Sequence, residues 1–287
     1  MSKDSPIVLV TGASRGAGRG IAAALGSHGA TVYLTGRSEK AGDHALPGTI
    51  YETAEAVTAA GGEGIAVRCD HADDDDVARL FGRIKDEQGR LDICINNAAA
   101  IYDELTMPGN FWEKPLKLAD IINVGVRSSY VASWHAAQMM VPRKSGLIVF
   151  TSASGAAHYV YGPGYGAHKA GVDKLAFDMG NDFAETGVTA LSIWMGALLT
   201  DRLLALIESD REKYGYLEKI VETPEFTGHI IWHLFQDPGL RNRNGRTWIG
   251  AELAEQYDLT DAGGRHAPSL RDTDGIVPLE QYDRVIR

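Results

Sequence analysis

Ile7-Val8-Leu9-Val10-Thr11-Gly12-Ala13-Ser14-Arg15-Gly16-Ala17-Gly18 decides the fold of this chain. Four aliphatic residues in a row read as a strand buried on both faces, since a strand sandwiched between helices has no wet side for polar residues. A glycine-rich turn follows directly, and a helical pattern follows the turn. Glycines here permit a tight reversal, let backbone N–H groups approach a pyrophosphate and allow the helix to lie close to the strand. The positive end of the helix then favours the negative charge. The spacing is glycine, three residues, glycine, one residue, glycine, not the commoner G-x-G-x-x-G. The strand before it and the helix after it raise the motif above an ordinary turn.

The same alternation continues outward along the chain. Apolar strand-like runs occupy 7–10, 31–35, 65–69, 91–96, 147–152, 188–194 and 246–249. Helical stretches fall between them, at 16–28, 50–60, 74–88, 118–140 and 165–186. Strand and helix in this rhythm predict an α/β, doubly wound (Rossmann) parallel sheet of about seven strands with helices on both faces. Nothing resembles a linker or a repeat, so residues 1–287 are expected to form a single dinucleotide-binding catalytic domain. Its irregular parts are a polar insert at 38–49 with Thr49 as N-cap of the next helix, a charged helix-prone lid at 200–227, and a Gly-, Pro- and Asp-rich tail at 263–287.

Composition narrows the function. The 287 residues are 44% hydrophobic, enough for a large core, and carry a net charge of −10. That charge argues against nucleic acid or an anionic membrane as partner, because both select Lys and Arg. No apolar run approaches the ~18 residues of a membrane span. Met1 to Pro6 lead straight into a strand, which reads as no signal peptide. Cys69 and Cys94 lie in separate strand-like runs and read as reduced core residues. A cytoplasmic protein is expected. Asp73-Asp74-Asp75-Asp76 sits where a helix begins, so these acids read as cap and dipole partners, and no metal site is expected.

A NAD-selective site places an acid some twenty residues after the glycine turn, against the ribose hydroxyls. This chain has Gly36-Arg37 there. Without the acid a 2′-phosphate is not repelled, and Arg37, with Arg15, is suited to grip it, so NADP(H) is preferred over NAD(H). Further on, Tyr165 and Lys169 stand one helical turn apart. A neighbouring ammonium is expected to lower the phenol pKa and poise Tyr165 for proton transfer near neutrality. Ser152 lies thirteen positions upstream of Tyr165, at the end of a strand-like run, with Ser154 as a rival. His158, Tyr159 and Tyr161 lie between them as candidate pocket residues, and His168 reads as structural or exposed.

With these motifs in order, the chain resembles the short-chain dehydrogenase/reductase family over about residues 6–255. Within it, Phe111-Trp112-Glu113-Lys114-Pro115, Ile122-Asn123-Val124-Gly125-Val126-Arg127 and the late Gly263-Gly264 turn are similar to the subgroup of dehydrogenase/reductase short-chain family member 1. The resemblance implies a nicotinamide cofactor and hydride transfer to or from a carbonyl or secondary alcohol. It implies a catalytic tetrad of Asn123, Ser152, Tyr165 and Lys169. It implies a cofactor site of Gly12, Ser14, Arg15, Gly16, Gly18, Arg37, Asp70, His71, Asn97, Tyr165, Lys169, Leu198 and Thr200. Asp70 and His71 would lie by the adenine, Asn97 by the adenosine ribose, and Leu198 and Thr200 by the nicotinamide. A homodimer or homotetramer acting on a small-molecule carbonyl or alcohol is implied as well. Two departures are visible: Ala99 replaces the family's glycine after Asn-Asn-Ala, and Met195 replaces its proline before Gly196. The alternative on the same fold is a non-catalytic dinucleotide sensor or scaffold.

Overall fold

The computed structural model describes residues 5–286, so the leader reading of the first four residues lies outside the described part. Seven strands, β1 (Ile7–Val10), β2 (Thr31–Gly36), β3 (Glu63–Arg68), β4 (Ile93–Asn96), β5 (Gly146–Ser152), β6 (Val188–Trp194) and β7 (Thr247–Ile249), form one sheet in the order β3-β2-β1-β4-β5-β6-β7. Every neighbouring pair is parallel. The helices are α1 (Gly16–Ser27), α2 (Ile50–Ala59), α3 (Asp74–Gln88), α4 (Ser128–Met140), α5 (Pro163–Asp182), α6 (Asp201–Ser209), α7 (Arg211–Tyr214), α8 (Phe226–Gln236), α9 (Gly250–Gln256) and α10 (Leu270–Asp274).

Side-chain alternation along each strand divides the core in two. Val8 and Val10 of β1 join Ile21 and Leu25 of α1, Val57 of α2, Ile230 and Leu234 of α8 and Leu253 of α9 on one face. Ile7 and Leu9 join Leu80 and Ile84 of α3, Ala132 and Ala136 of α4 and Val172 and Ala176 of α5 on the other. Burying both faces is what made the strands legible as continuous apolar runs.

Local signals act as the sequence predicts at several ends. Thr49 and Glu52 complete a reciprocal capping box on α2, and Asp73 Oδ1 accepts from the Asp75 and Asp76 amides at the start of α3. Pro163 opens α5 at the position where its missing N–H costs nothing. Both cysteines are free and buried.

One expected element differs. Instead of a continuous helix over 118–140 there is a 3₁₀ turn at Leu116–Ala119, then a widened turn at Ile122–Arg127, and α4 only from Ser128. Val124 (φ −101°, ψ 84°) and Gly125 (φ 161°, ψ −72°) leave helical geometry. The freed carbonyl of Val124 accepts from the Ala100 amide at 2.8 Å, which ties the break to the end of β4.

The strand order reverses between β1 and β4, which pair in parallel while the connections leaving them lead to opposite halves of the sheet. At that switch point, the loops after the carboxyl ends of the strands part and leave a crevice.

Candidate active site

The crevice holds a cavity of about 630 Å³. Its floor is the glycine turn. Gly12 has φ +66°, and a Cβ there would come within 2.7 Å of Ala98 Cα, so only glycine fits. Thr11 Oγ1 accepts from the amides of Asn97 (2.9 Å) and Ala98 (3.0 Å), and Asn97 Nδ2 donates to the Thr11 (2.9 Å) and Gly12 (3.0 Å) carbonyls. Asn97 thereby wires the end of β4 to the turn. Gly18 lies behind the turn, where any Cβ would strike the Gly12 carbonyl and Asn97 Nδ2.

The cavity wall includes Gly12, Ser14, Arg15, Gly16, Arg37, Asp70, His71, Asn97, Tyr165, Lys169, Leu198 and Thr200, which brings together every cofactor-binding residue read from the sequence except Gly18. Their tasks are more varied than the sequence indicates. Arg15 donates from Nε to the Pro47 carbonyl and from Nη2 to Ser38 Oγ and the Gly48 carbonyl, anchoring the 38–49 insert. Arg37 is the freer guanidinium, its side chain 66% exposed and 3.7 Å from Asp70. His71 is buried, with Nε2 2.7 Å from Thr35 Oγ1, and Thr35 Oγ1 accepts from the Gly12 amide at 3.4 Å. Burial holds the His71 pKa down at about 4, so it braces the turn as a neutral ring. Ala99 lines the cavity as well.

Tyr165 and Lys169 both reach the cavity from α5. The lysine Nζ lies 5.6 Å from the tyrosine ring centroid and donates to the Thr151 carbonyl at 3.1 Å. The expected acidification of the phenol is not found. Burial, followed by the neighbouring Tyr161, pushes the Tyr165 pKa up to about 12. Burial also pushes Lys169 down to about 8, opposed by Asp173. The physical reason is that desolvation disfavours both charges, and a cation at that distance from the ring does not offset it. Tyr161 (φ +58°) and Gly162 (φ +114°) make the left-handed turn that feeds α5 and seats the Tyr161 ring edge-on to Tyr165, centroids 5.3 Å apart.

Two residues of the expected tetrad stand outside the cavity wall. Ser152, fully buried, is the last residue of β5, and its Oγ donates to the Lys169 carbonyl at 3.3 Å. Asn123 is exposed, beside the break at Val124, and Val124 is the residue there that reaches the cavity. Ser154 Oγ lies 2.9 Å from His158 Nε2 on the exposed side. His168 is buried against Gly125, with Nδ1 lacking a hydrogen-bond partner.

Several residues take roles in the site that the sequence did not indicate. Asp173, one turn beyond Lys169, accepts from Ser192 Oγ (2.6 Å) and Trp194 Nε1 (2.7 Å); its i+4 spacing was the available signal. Met195, standing where the family has proline, donates its amide to the Ser152 carbonyl at 3.1 Å, a bond proline cannot make. Glu222 is buried and clamps the loop after β6. It accepts from the Gly196 amide at 3.1 Å, while its backbone bonds Ala197 and Leu199. Burial raises its carboxyl to about 7. Asp261 and Arg265 hold this clamp from the C-terminal side: the Thr223 amide donates to Asp261 Oδ2 at 2.8 Å, and Arg265 pairs with Asp261 at 2.8 Å.

A parallel doubly wound sheet, a glycine turn at its switch point and a Tyr-Lys pair one helical turn apart define a class of nicotinamide-dependent oxidoreductases. Residues 6–210 match the family model described as short chain dehydrogenase, and the chain belongs to that family. It is 36% identical over 270 residues to dehydrogenase/reductase SDR family member 1 of Mus musculus, covering 90% of this chain and 84% of that protein. A 3-oxoacyl-[acyl-carrier-protein] reductase of Synechocystis is 30% identical, with 84% of this chain and 94% of that one covered. Among solved structures, a short chain dehydrogenase of Mycobacterium thermoresistibile superposes with a TM-score of 0.76 at 25% identity, covering 93% of this chain and 92% of that one.

Proposed function

We propose that this protein is an NADP(H)-dependent oxidoreductase that interconverts a carbonyl and a secondary alcohol, with Tyr165 moving the proton. The observation that carries the reading is that Tyr165 and Lys169 open into the same cavity as the glycine turn and Arg37. The cavity fits a dinucleotide: its floor is a glycine turn whose close course past Ala98 a Cβ at position 12 would block, and basic side chains stand around it. Arg37 following Gly36, with no acid in its place, supports the phosphorylated cofactor.

When bound, the nicotinamide supplies or accepts the hydride. In the reductive direction the Tyr165 hydroxyl gives its proton to the developing alkoxide. A phenol held neutral by burial is a competent donor, and the cation of Lys169 stabilises the phenolate left behind. Ser152 donates to the same substrate oxygen once its Oγ turns from the Lys169 carbonyl. The backbone break beside Asn123 gives Lys169 a route to solvent for proton resupply. The whole chain acts as one catalytic domain, with the 200–227 segment as its lid, in a cytoplasmic setting suited to two buried free thiols. Tyr130 and Trp134, each 53% exposed on α4, form the face through which the protein pairs with further copies.

The test is Tyr165→Phe. Turnover of a carbonyl panel with NADPH should fall by at least ~10²-fold while NADPH binding, followed by fluorescence, is retained. Unchanged turnover removes Tyr165 from the chemistry. Cofactor binding by the unsubstituted protein without turnover of any carbonyl favours the sensor alternative.

A further inference from the structure

The segment between β4 and α4 and the start of α6 meet across the mouth of the cavity. Tyr102, Leu105 and Thr106 line it from the first, Thr200, Asp201 and Arg202 from the second. The two are joined by an ion pair, Arg202 Nη1 to Asp103 Oδ1 at 3.0 Å. Each side is separately braced. Lys117 pairs with Glu104 at 2.6 Å and Lys114 donates to the Leu105 carbonyl at 2.9 Å within the segment, while Thr200 Oγ1 caps α6. The Arg202–Asp103 pair is therefore not what holds either piece together.

Its surroundings carry both signs of charge. Arg15, Arg37, His44 and Arg202 face the cavity together with Asp43, Asp70 and Asp201, and Arg37 lies 3.7 Å from Asp70. The His44 ring is held below its ordinary pKa by burial first, then by Arg15 and Arg202, with Asp103 opposing and Arg37 adding to the depression. Cations gathered around one cavity repel one another unless an anion sits among them. Arg202 meets its anion in Asp103, whose side chain is 73% exposed. The start of α6 also lies directly over the glycine turn: a Cβ at Gly16 would be 3.6 Å from Thr200 Cγ2.

We infer that Arg202 is a pyrophosphate-binding residue of the lid, and that Asp103 holds its guanidinium in reserve until the dinucleotide arrives. The inference rests on reading the cavity as a dinucleotide site. The Arg202 side chain is 32% exposed, but its partner Asp103 is mostly in water, which screens the attraction and leaves the carboxylate easy to displace. A phosphate in the cavity mouth offers the planar fork a charge-assisted, bidentate partner among other cations. The exchange draws α6 onto the glycine turn and frees the 101–117 segment beside the substrate end.

The two partners of the ion pair give opposite signs in a binding experiment. NADP⁺ and NAD⁺ are titrated into the full chain and its Arg202→Met, Arg202→Lys and Asp103→Asn variants, with tryptophan fluorescence as readout and thermal melts to verify folding. Arg202→Met should weaken both cofactors alike, by roughly tenfold or more, the loss of a hydrogen-bonded charge. Arg202→Lys, which keeps the charge without the fork, should fall between. Asp103→Asn, which removes the competitor, should tighten both a few-fold. Arg37→Met is the contrast, weakening NADP⁺ selectively. Unchanged affinity in Arg202→Met, or weakening in Asp103→Asn, overturns the inference by making the pair a structural brace. Failure of the unsubstituted protein to bind either dinucleotide is a different result and removes the cofactor reading itself.

Discussion

At the scale of single residues, protonation in this site is governed by burial rather than by neighbouring charge. Tyr165 and Lys169 were expected to help each other, yet desolvation shifts both toward their neutral forms. Glu222 shows the same rule with a consequence for stability. Its carboxyl is raised from 4.5 to about 7, so between those values the folded protein keeps a proton that the unfolded chain has lost. Folding stability from this group is therefore complete below pH 4.5 and is lost as pH rises toward 7. Glu222→Gln keeps an acceptor for the Gly196 amide and removes the titration. Compared with the unsubstituted protein in urea unfolding, the variant should gain stability from pH 5 to pH 8, by up to ~3 kcal/mol. Parallel stability curves for the two proteins across that range would show that Glu222 is not buried as an acid.

At the scale of elements, the decisive contact is α1 against the glycine turn and Asn97, just past the end of β4. It depends on the absence of a side chain at Gly18. Gly18→Ala places a methyl within 2.5 Å of Asn97 Nδ2 and against the backbone of the glycine turn, neither of which has room to move. We expect a loss of about 2–3 kcal/mol in chemical denaturation together with loss of dinucleotide binding. A stable variant with intact binding would mean that the turn tolerates the extra atom. The elements themselves were legible to within a residue or two in most cases, because buried parallel strands and amphipathic helices write distinct periods. The 118–140 stretch was misread as one helix. Its apolar residues keep a helical period, and the only local sign of the break was Gly125 in its interior. The break arises from a distant partner, the Ala100 amide, which periodicity does not report.

At the scale of the whole molecule, the sheet order sets the cavity at the switch point and leaves the outer face of α4 uncovered. Tyr130 and Trp134 are exposed there, and Ile122 is exposed in the widened turn that precedes the helix. Solvated aromatics on a helix that also lines the core are the pattern of a surface awaiting a partner. In sedimentation, the protein should run as a dimer or larger, and Trp134→Glu should shift it toward monomer without lowering its helix content. A variant that sediments like the parent would move the contact to another face.

The sequence by itself determined the succession of strands and helices, the glycine turn and the placing of Tyr165 and Lys169 on one helix face. Each of these is a matter of local spacing, and local spacing fixes what lies within one turn or one strand. Only the tertiary structure decided which groups are stripped of water and which distant residues meet. It set the Ser152 hydroxyl on the Lys169 carbonyl, placed Glu222 under Gly196, and joined the two sides of the cavity mouth through Arg202 and Asp103. Those outcomes depend on how elements far apart in the chain pack, and packing sets both the dielectric around a charge and the identity of its partner.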